Sequence, residues 1–241
     1  MSAFAAARNR MELGARVFPT SLPMNSADEA GLLSAMRLRM VEQQIRTRGL
    51  RDERVLGAMA RVPRHEFTPE RYRSQAYEDH PLPIGEQQTI SQPYIVALML
   101  EALAIKPGNK VLEVGTGSGY VTALLAEMAA CVISIERHAA LADEARELLG
   151  RLGYSNVKVI TGDGSQGFAK SAPYDAIIVS AAAAELPPAL LEQLAEGGRM
   201  IVPVGPPDAQ QLQLIQKRKG QTEIALGEMC RFVPLVGGMG S

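Results

Sequence analysis

The sequence has few of the residues that build disulfide frameworks or metal sites. Its 241 residues include two cysteines and three histidines. Cys131 and Cys230 lie far apart and form no CxxC pattern, which predicts a reducing compartment such as the cytoplasm. The histidines show no metal-ligand spacing, so we expect no structural metal. No apolar run approaches the roughly 20 residues that a membrane-spanning helix needs, so we expect no membrane association.

An excess of positive charge is also missing. The formal net charge is -1, with 46% hydrophobic and 21% charged residues, which is ordinary for a soluble globular protein. A protein that binds nucleic acid through its phosphates is usually more basic, so we expect no nucleic-acid partner. The sequence shows no obligate protein partner. Its length suits one α/β domain with an appendage.

The first 33 residues differ in composition from the rest. Three arginines among alanines are followed by a loop-like run from Pro19 to Ser26. No apolar segment is long enough for a secretory signal, whereas the absence of acids in the first eleven residues leaves a transit peptide open. We predict a mobile or loosely docked extension over 1–33. The domain itself is predicted over 34–241, with a helical cap and loop at 34–105 and an α/β core at 106–241.

The order of predicted elements defines a fold class. A helical pattern runs from Ala35 to Ala60 and stops at Pro63. The stretch at 81–93, PLPIGEQQTISQP, has no clean period and predicts an irregular loop. Five strands then alternate with helices, and a strand pair follows; the predicted strands are 111–114, 131–136, 157–161, 174–181, 199–204, 210–218 and 223–233. This alternation predicts a Rossmann-like, doubly wound, mostly parallel α/β sheet with an antiparallel end.

The segment VLEVGTGSGY at 111–120 predicts a ligand site. A strand runs into a glycine-rich turn that opens a helix, and glycines let the backbone turn sharply and approach a ligand closely. The glycines are Gly115, Gly117 and Gly119. A dinucleotide site would place its third glycine at position 120, which is Tyr120 here, so the spacing disfavours a pyrophosphate ligand. A tight turn that binds nothing stays open.

Two acids strengthen this prediction. Glu136 ends the second strand, where a carboxylate accepts hydrogen bonds from ribose hydroxyls. Asp163 follows the third strand, inside Gly162-Asp163-Gly164, where a carboxylate can accept from an adenine amino group. Each acid alone is more often a solvated loop residue, but together they are predicted to line the crevice at the carboxyl ends of the strands. The pattern favours an adenosine-bearing ligand without a pyrophosphate.

The glycine turn with its later acids resembles the class I S-adenosylmethionine methyltransferases. That resemblance implies a seven-stranded sheet with an antiparallel terminal strand. It also implies S-adenosyl-L-methionine as the cofactor. The cofactor-binding residues that it predicts are Gly115, Thr116, Gly117, Gly119, Glu136, Asp163 and Gly164.

Further stretches over roughly 34–237 resemble the protein-L-isoaspartate O-methyltransferases. They are MVEQQI at 40–45, RVLGAM at 54–59, VPR at 62–64, AYED at 76–79, PLPIG at 81–85, QTISQP at 88–93, GDGSQG at 162–167 and FVPL at 232–235. QTISQP is the most diagnostic, because methyltransferases in general lack it. One departure lies just before it: the family often carries a GFGQT-like run, where this chain has Gly85-Glu86-Gln87-Gln88-Thr89.

The resemblance implies methyl transfer to the free α-carboxylate of L-isoaspartyl residues in damaged proteins and peptides, a repair reaction. Ser91 is the active-site residue that it implies, and we interpret its hydroxyl as a donor that aims the carboxylate, with Thr89 sharing the work. The alternative for both hydroxyls is that they only satisfy backbone groups of the loop. Two other functions stay open: a class I methyltransferase acting on a small molecule or nucleic acid, and a binding module that senses S-adenosylmethionine or damaged proteins without turnover.

Overall fold

The computed structural model describes residues 26–237. The α-helices of this part of the chain are α1 (Ser26–Met40), α2 (Glu53–Arg61), α3 (Pro93–Leu103), α4 (Tyr120–Met128), α5 (Ala139–Arg151) and α6 (Pro188–Gln193). Its strands are β1 (Leu82–Pro83), β2 (Thr89–Ile90), β3 (Lys110–Val114), β4 (Cys131–Glu136), β5 (Val157–Thr161), β6 (Tyr174–Val179), β7 (Leu194–Val204), β8 (Gln210–Arg218) and β9 (Gln221–Cys230). None of these helices is both long and apolar enough to cross a membrane.

The seven strands from β3 to β9 form one sheet in the order β5-β4-β3-β6-β7-β8-β9. The pairs from β5 to β7 are parallel, whereas β8 pairs antiparallel with β7 and β9 pairs antiparallel with β8. The predicted seven-stranded, mostly parallel sheet with an antiparallel end is confirmed. The central strands are apolar and buried because helices cover both faces of a parallel sheet.

The strand order contains the reversal that creates a ligand crevice. From β3 the chain moves outward through β4 to β5, and it then returns to β6 on the other side of β3. The connections that leave β3 and β6 therefore diverge at the carboxyl edge of the sheet. Open α/β sheets bind ligands in the crevice at this point.

The helix predicted from Ala35 to Ala60 is interrupted, so that prediction was wrong in its middle. After α1, a π-helical turn (Val41–Ile45) and a 3₁₀ turn (Arg46–Arg48) lead to Gly49, whose φ of 101° ends the helix. The next helix, α2, is capped by Asp52, whose side chain accepts a hydrogen bond from the backbone N–H of Arg54. Apolar residues continue through this break at helical spacing, so the apolar period alone did not reveal the break.

The stretch at 81–93 is more regular than the predicted loop. Leu82 pairs with Ile90 and Pro83 pairs with Thr89, so β1 and β2 form a small antiparallel hairpin. Its turn is closed by a hydrogen bond from the backbone N–H of Gln88 to the carbonyl of Gly85, at 3.0 Å. The hairpin sets the position of the QTISQP segment.

The predicted N-terminal extension lies for the most part outside the described residues, which begin at 26. Its last residues, 26–33, form the first half of α1. Leu33 is buried in the hydrophobic core. At the other end of the domain, β9 ends at Cys230, earlier than the predicted 233, and the chain then leaves the sheet.

Candidate active site

A cavity of about 750 Å³, counting its open mouth, lies at the carboxyl edge of β3, β4 and β6. Most of the predicted site residues line it, from both the glycine turn and the QTISQP segment: Thr89, Ser91, Gly115, Thr116, Gly117, Glu136 and Gly164. Gly119 and Asp163 are not among its lining residues.

The glycine turn needs its glycines for backbone reasons. Gly115, Gly117 and Gly119 have φ values of 91°, 52° and 87°, all in the left-handed region that other residues adopt only with strain. The N–H of Gly115 donates to the carbonyl of Ile135 at 2.8 Å, which fastens the turn to β4. Gly119 caps α4 and shapes the turn without facing the cavity. At Gly115 and Gly117 the turn therefore presents bare backbone to the cavity.

Glu136 holds the turn from the neighbouring strand. Its carboxylate accepts hydrogen bonds from the backbone N–H groups of Gly117 and His138, each at 2.9 Å, and the residue is only 5% exposed. Each carboxylate oxygen has two lone pairs, so both retain capacity for a ligand hydroxyl. The predicted acceptor thus lines the cavity in an orientation that the backbone fixes.

Beneath the turn lies a buried polar network that sequence reasoning missed. The hydroxyls of Thr116 and Ser134 are 2.5 Å apart, and Glu113 accepts from Ser134 and Thr122 at 2.6 and 2.5 Å. Thr116 therefore lines the cavity while its hydroxyl is engaged inside the sheet. Burial raises the pKa of Glu113 to about 8. The available signal was an acid within the otherwise apolar strand VLEV.

Of the two site residues predicted from GDG at 162–164, Gly164 lines the first cavity and Asp163 does not. The Asp163 carboxylate accepts from the backbone N–H and the hydroxyl of Ser165, at 2.9 and 2.7 Å, and so caps the short 3₁₀ turn Gly164–Gln166. Gly164 packs against β3 so closely that a Cβ would lie 2.4 Å from Cγ1 of Val114. Gly164 therefore forms part of the cavity wall, while Asp163 lies beside it.

A second cavity, of about 1,020 Å³ counting open space, adjoins the first. The two share four lining residues, which are Thr89, Ser91, Ser180 and Val233. The hydroxyls of Thr89 and Ser91 make no hydrogen bonds within residues 26–237, so neither side chain is occupied by loop backbone. Ser180 was not predicted as a site residue, although its place just after β6, at the carboxyl edge of the sheet, was a usable signal.

The segment after β9 supplies a wall that the sequence did not reveal. Residues 233–236 line the first cavity. They are held by hydrogen bonds from Ala182 N–H to Val233 O at 2.8 Å and from Leu235 N–H to Ala182 O at 2.7 Å. The FVPL stretch was part of the resemblance, but its contact with the loop after β6 exists only in the folded chain. Arg231 is the charged residue that lines the second cavity.

The departure at 86–87 has a visible backbone consequence. Glu86 and Gln87 have φ values of 55° and 58°. The left-handed conformation is strained for both residues, and a glycine at position 87, where the GFGQT-like run has one, would relieve the strain there. The Glu86 carboxylate lies 3.5 Å from Nδ1 of His138, a residue that also lines the first cavity.

Together, the strand order, the glycine turn at the switch point and the acid at the end of β4 define a class I methyltransferase. The family described as protein-L-isoaspartate(D-aspartate) O-methyltransferase matches residues 36–240. The chain belongs to this family.

Individual relatives agree with this assignment. A protein-L-isoaspartate O-methyltransferase of Koribacter versatilis is 59% identical, over 85% of this chain and 92% of its own length. One from Methanoculleus marisnigri is 57% identical, over 85% of this chain and 93% of its own length. A solved structure from Plasmodium falciparum, described as a putative enzyme of this type in complex with S-adenosyl-L-homocysteine, has a TM-score of 0.73 and 31% identity, covering 83% of this chain and 98% of that one.

Proposed function

We propose that Ser91 carries the positioning step of this enzyme, which transfers a methyl group from S-adenosyl-L-methionine to the free α-carboxylate of L-isoaspartyl residues in damaged proteins and peptides. The observation that carries this proposal is the meeting of two cavities at Thr89, Ser91, Ser180 and Val233. One cavity contains the glycine turn and Glu136. The other opens beside QTISQP, where a peptide can enter.

The residues of the first cavity fit the cofactor. Gly117 lines this cavity and has no side chain to fill it, and the buried Glu136 carboxylate retains lone pairs for ribose hydroxyls. S-adenosylmethionine supplies a methyl group on a sulfonium cation. We assign Gly115, Gly117, Glu136 and Gly164 to its binding, with Thr116, Gly119 and Asp163 shaping the surrounding loops.

The reaction needs alignment more than acid–base chemistry. The pKa of a free α-carboxyl group is ordinarily about 3.3–3.7, so the nucleophile is already ionised at neutral pH. The chain therefore needs no general base to activate it. Because attack on a sulfonium brings opposite charges together, extra fixed charge helps little. Holding two reactants in place can supply roughly 7–11 kcal/mol in favourable cases, and excluding water adds to this.

In this proposal the Ser91 hydroxyl donates a hydrogen bond to the substrate carboxylate and aims it at the cofactor. Thr89, the first residue of β2, assists. An isoaspartyl linkage leaves the α-carboxylate as a side group, whereas a normal aspartyl residue presents its carboxylate one methylene further out. A misplacement of about 1 Å can cost on the order of a hundredfold in rate. The site should therefore distinguish the two linkages by position alone.

Radiolabelled methyl transfer to an isoaspartyl peptide, measured beside its normal aspartyl twin, tests this function. We expect transfer to the first peptide and almost none to the second. Ser91→Ala should lower kcat far more than it weakens cofactor binding measured by calorimetry. Ser155→Ala, an exposed serine outside both cavities, is the matched control. Equal methylation of both peptides would refute the specificity, and an unaffected Ser91→Ala enzyme would refute the role of Ser91.

The remaining expectations belong to this proposal as well. We propose isoaspartyl proteins and peptides as substrates, without nucleic acid, a membrane or an obligate protein partner, and action in the cytoplasm. The division into an extension at 1–33, a cap and substrate loop at 34–105 and a cofactor-binding core at 106–241 stays a prediction. Among residues 26–237 no group of three His, Cys, Asp or Glu side chains lies close enough to hold a metal ion.

A further inference from the structure

Arg64 is a fully buried arginine between the two halves of the active site. Arg64 is 0% exposed, and it is the first residue of the 3₁₀ turn Arg64–Phe67. Arginine is almost never fully buried unless its charge is compensated, because removal of a charge from water is costly. Its place in the interior therefore calls for a physical reason.

The contacts of Arg64 connect distant segments of the chain. Its Nε donates to the carbonyl of Ala76 and its Nη2 to the carbonyl of Ser91, both at 2.8 Å. The guanidinium carbon lies 4.8 Å from the centroid of the Tyr120 ring. Burial lowers the pKa of Arg64 to about 10, so the group keeps its charge at neutral pH. Within residues 26–237 its hydrogen bonds go to carbonyl groups and not to a carboxylate.

These partners belong to the two halves of the site. Ser91 lies where the two cavities meet, and Tyr120 begins α4 directly after the glycine turn and lines the cofactor cavity. One planar group therefore touches both the substrate loop and the cofactor helix. A lysine could not replace it, because an ammonium group lacks both the rigid fork of donors and the flat face that stacks on an aromatic ring.

Packing alone does not account for this residue. Phe67 already packs edge-on against Tyr120, with ring centroids 5.7 Å apart. An apolar side chain of similar volume would fill the space of Arg64, but it would leave the carbonyls of Ala76 and Ser91 without this donor. Arg64 instead donates to two backbone oxygens. One of them belongs to Ser91, the residue that we propose binds the substrate carboxylate.

We propose that Arg64 is a positioning residue for methyl transfer, which holds the Ser91 carbonyl while stacking on Tyr120 and thereby fixes the Ser91 hydroxyl relative to the cofactor cavity. This inference rests on the function proposed above. Arg64 itself lines neither cavity. Its loss lets the loop shift, and a shift of about 1 Å can cost on the order of a hundredfold in rate.

A double-mutant cycle on the full chain tests this role. kcat is measured by methyl transfer to the isoaspartyl peptide, and affinity for S-adenosylmethionine by calorimetry. Arg64→Met should lower kcat on the order of a hundredfold and leave cofactor affinity nearly unchanged. In a Ser91→Ala background the same substitution should lower kcat much less, because both changes remove one function. Arg61→Met is the matched control, since Arg61 is exposed and pairs with Glu127.

Arg64→Lys provides a second variant that keeps a positive charge, and circular dichroism identifies the folded proteins. Wild-type kcat in a folded Arg64 variant, or equal losses in both backgrounds, would overturn the inference. Loss of folding in both variants would assign Arg64 to stability alone and overturn it as well. A wild-type enzyme that does not methylate the isoaspartyl peptide would instead refute the proposed function, which the same assay measures separately.

Discussion

Replacement of Glu113 by glutamine should change how the stability of the protein depends on pH. Glu113 is 0% exposed, and its Oε2 accepts hydrogen bonds from Thr122 and Ser134. Its Oε1 has no hydrogen-bond partner within the described part of the chain. Burial raises the pKa of Glu113 from its ordinary 4.5 to about 8. Glutamine keeps the shape and the accepting oxygen but does not titrate.

The sign of the effect follows from proton binding. A carboxyl group with a raised pKa binds its proton more tightly in the folded than in the unfolded protein. Its stabilising contribution is fully present below the unfolded pKa and is lost as the pH rises through the folded pKa. Between pH 5 and pH 8 the wild type should therefore lose about 3 kcal/mol of unfolding free energy that the Glu113→Gln protein keeps.

Urea unfolding followed by circular dichroism measures this difference, since the sequence has no tryptophan for fluorescence. The quantity to plot is the difference in unfolding free energy between variant and wild type, in which the other titrating groups cancel. Glu144→Gln, on the exposed face of α5, controls for the change from carboxylate to amide. We expect the unfolding free energy of Glu113→Gln to rise steadily relative to that of the wild type as the pH rises. A constant difference across this range would show that Glu113 is not protonated in the fold and would refute the argument.

Two further substitutions test the loops around the cofactor cavity. Gly117→Val should abolish binding of S-adenosylmethionine, because valine is strained at a φ of 52° and its side chain would occupy ligand space; unchanged calorimetric affinity in a folded variant would remove this turn from the site. Gln87→Gly should raise the unfolding free energy by about 0.5–1 kcal/mol, because it relieves a φ of 58° at some cost in unfolded-chain entropy. Gln88→Gly, at a position without a positive φ, should lower the unfolding free energy in the same urea experiment, and a Gln87→Gly protein that is no more stable than the wild type would contradict the strain argument.

Local signals in the sequence determined most of the element order. Short continuous apolar runs identified the central strands of the large sheet, because burial of both faces leaves a mark within each segment. The glycine spacing at 115, 117 and 119 predicted a turn that needs left-handed backbone, and all three φ values are positive. The helix from 35 to 60 was wrong where Gly49 and Asp52 end and restart it. At these two residues the capping geometry ends one helix and begins the next, although the apolar period continues.

By itself, then, the sequence determined the fold class, the cofactor turn and the loop that carries Thr89 and Ser91. Only the tertiary structure decided that this loop meets the turn, that residues 233–236 return to wall the cavity, and that Arg64 connects Ser91 with Tyr120. These contacts join segments that are far apart in the chain, so no local period or spacing records them. They form because burial leaves backbone carbonyls and N–H groups such as those of Ser91 and Ala182 to be satisfied by whichever distant segment packs beside them.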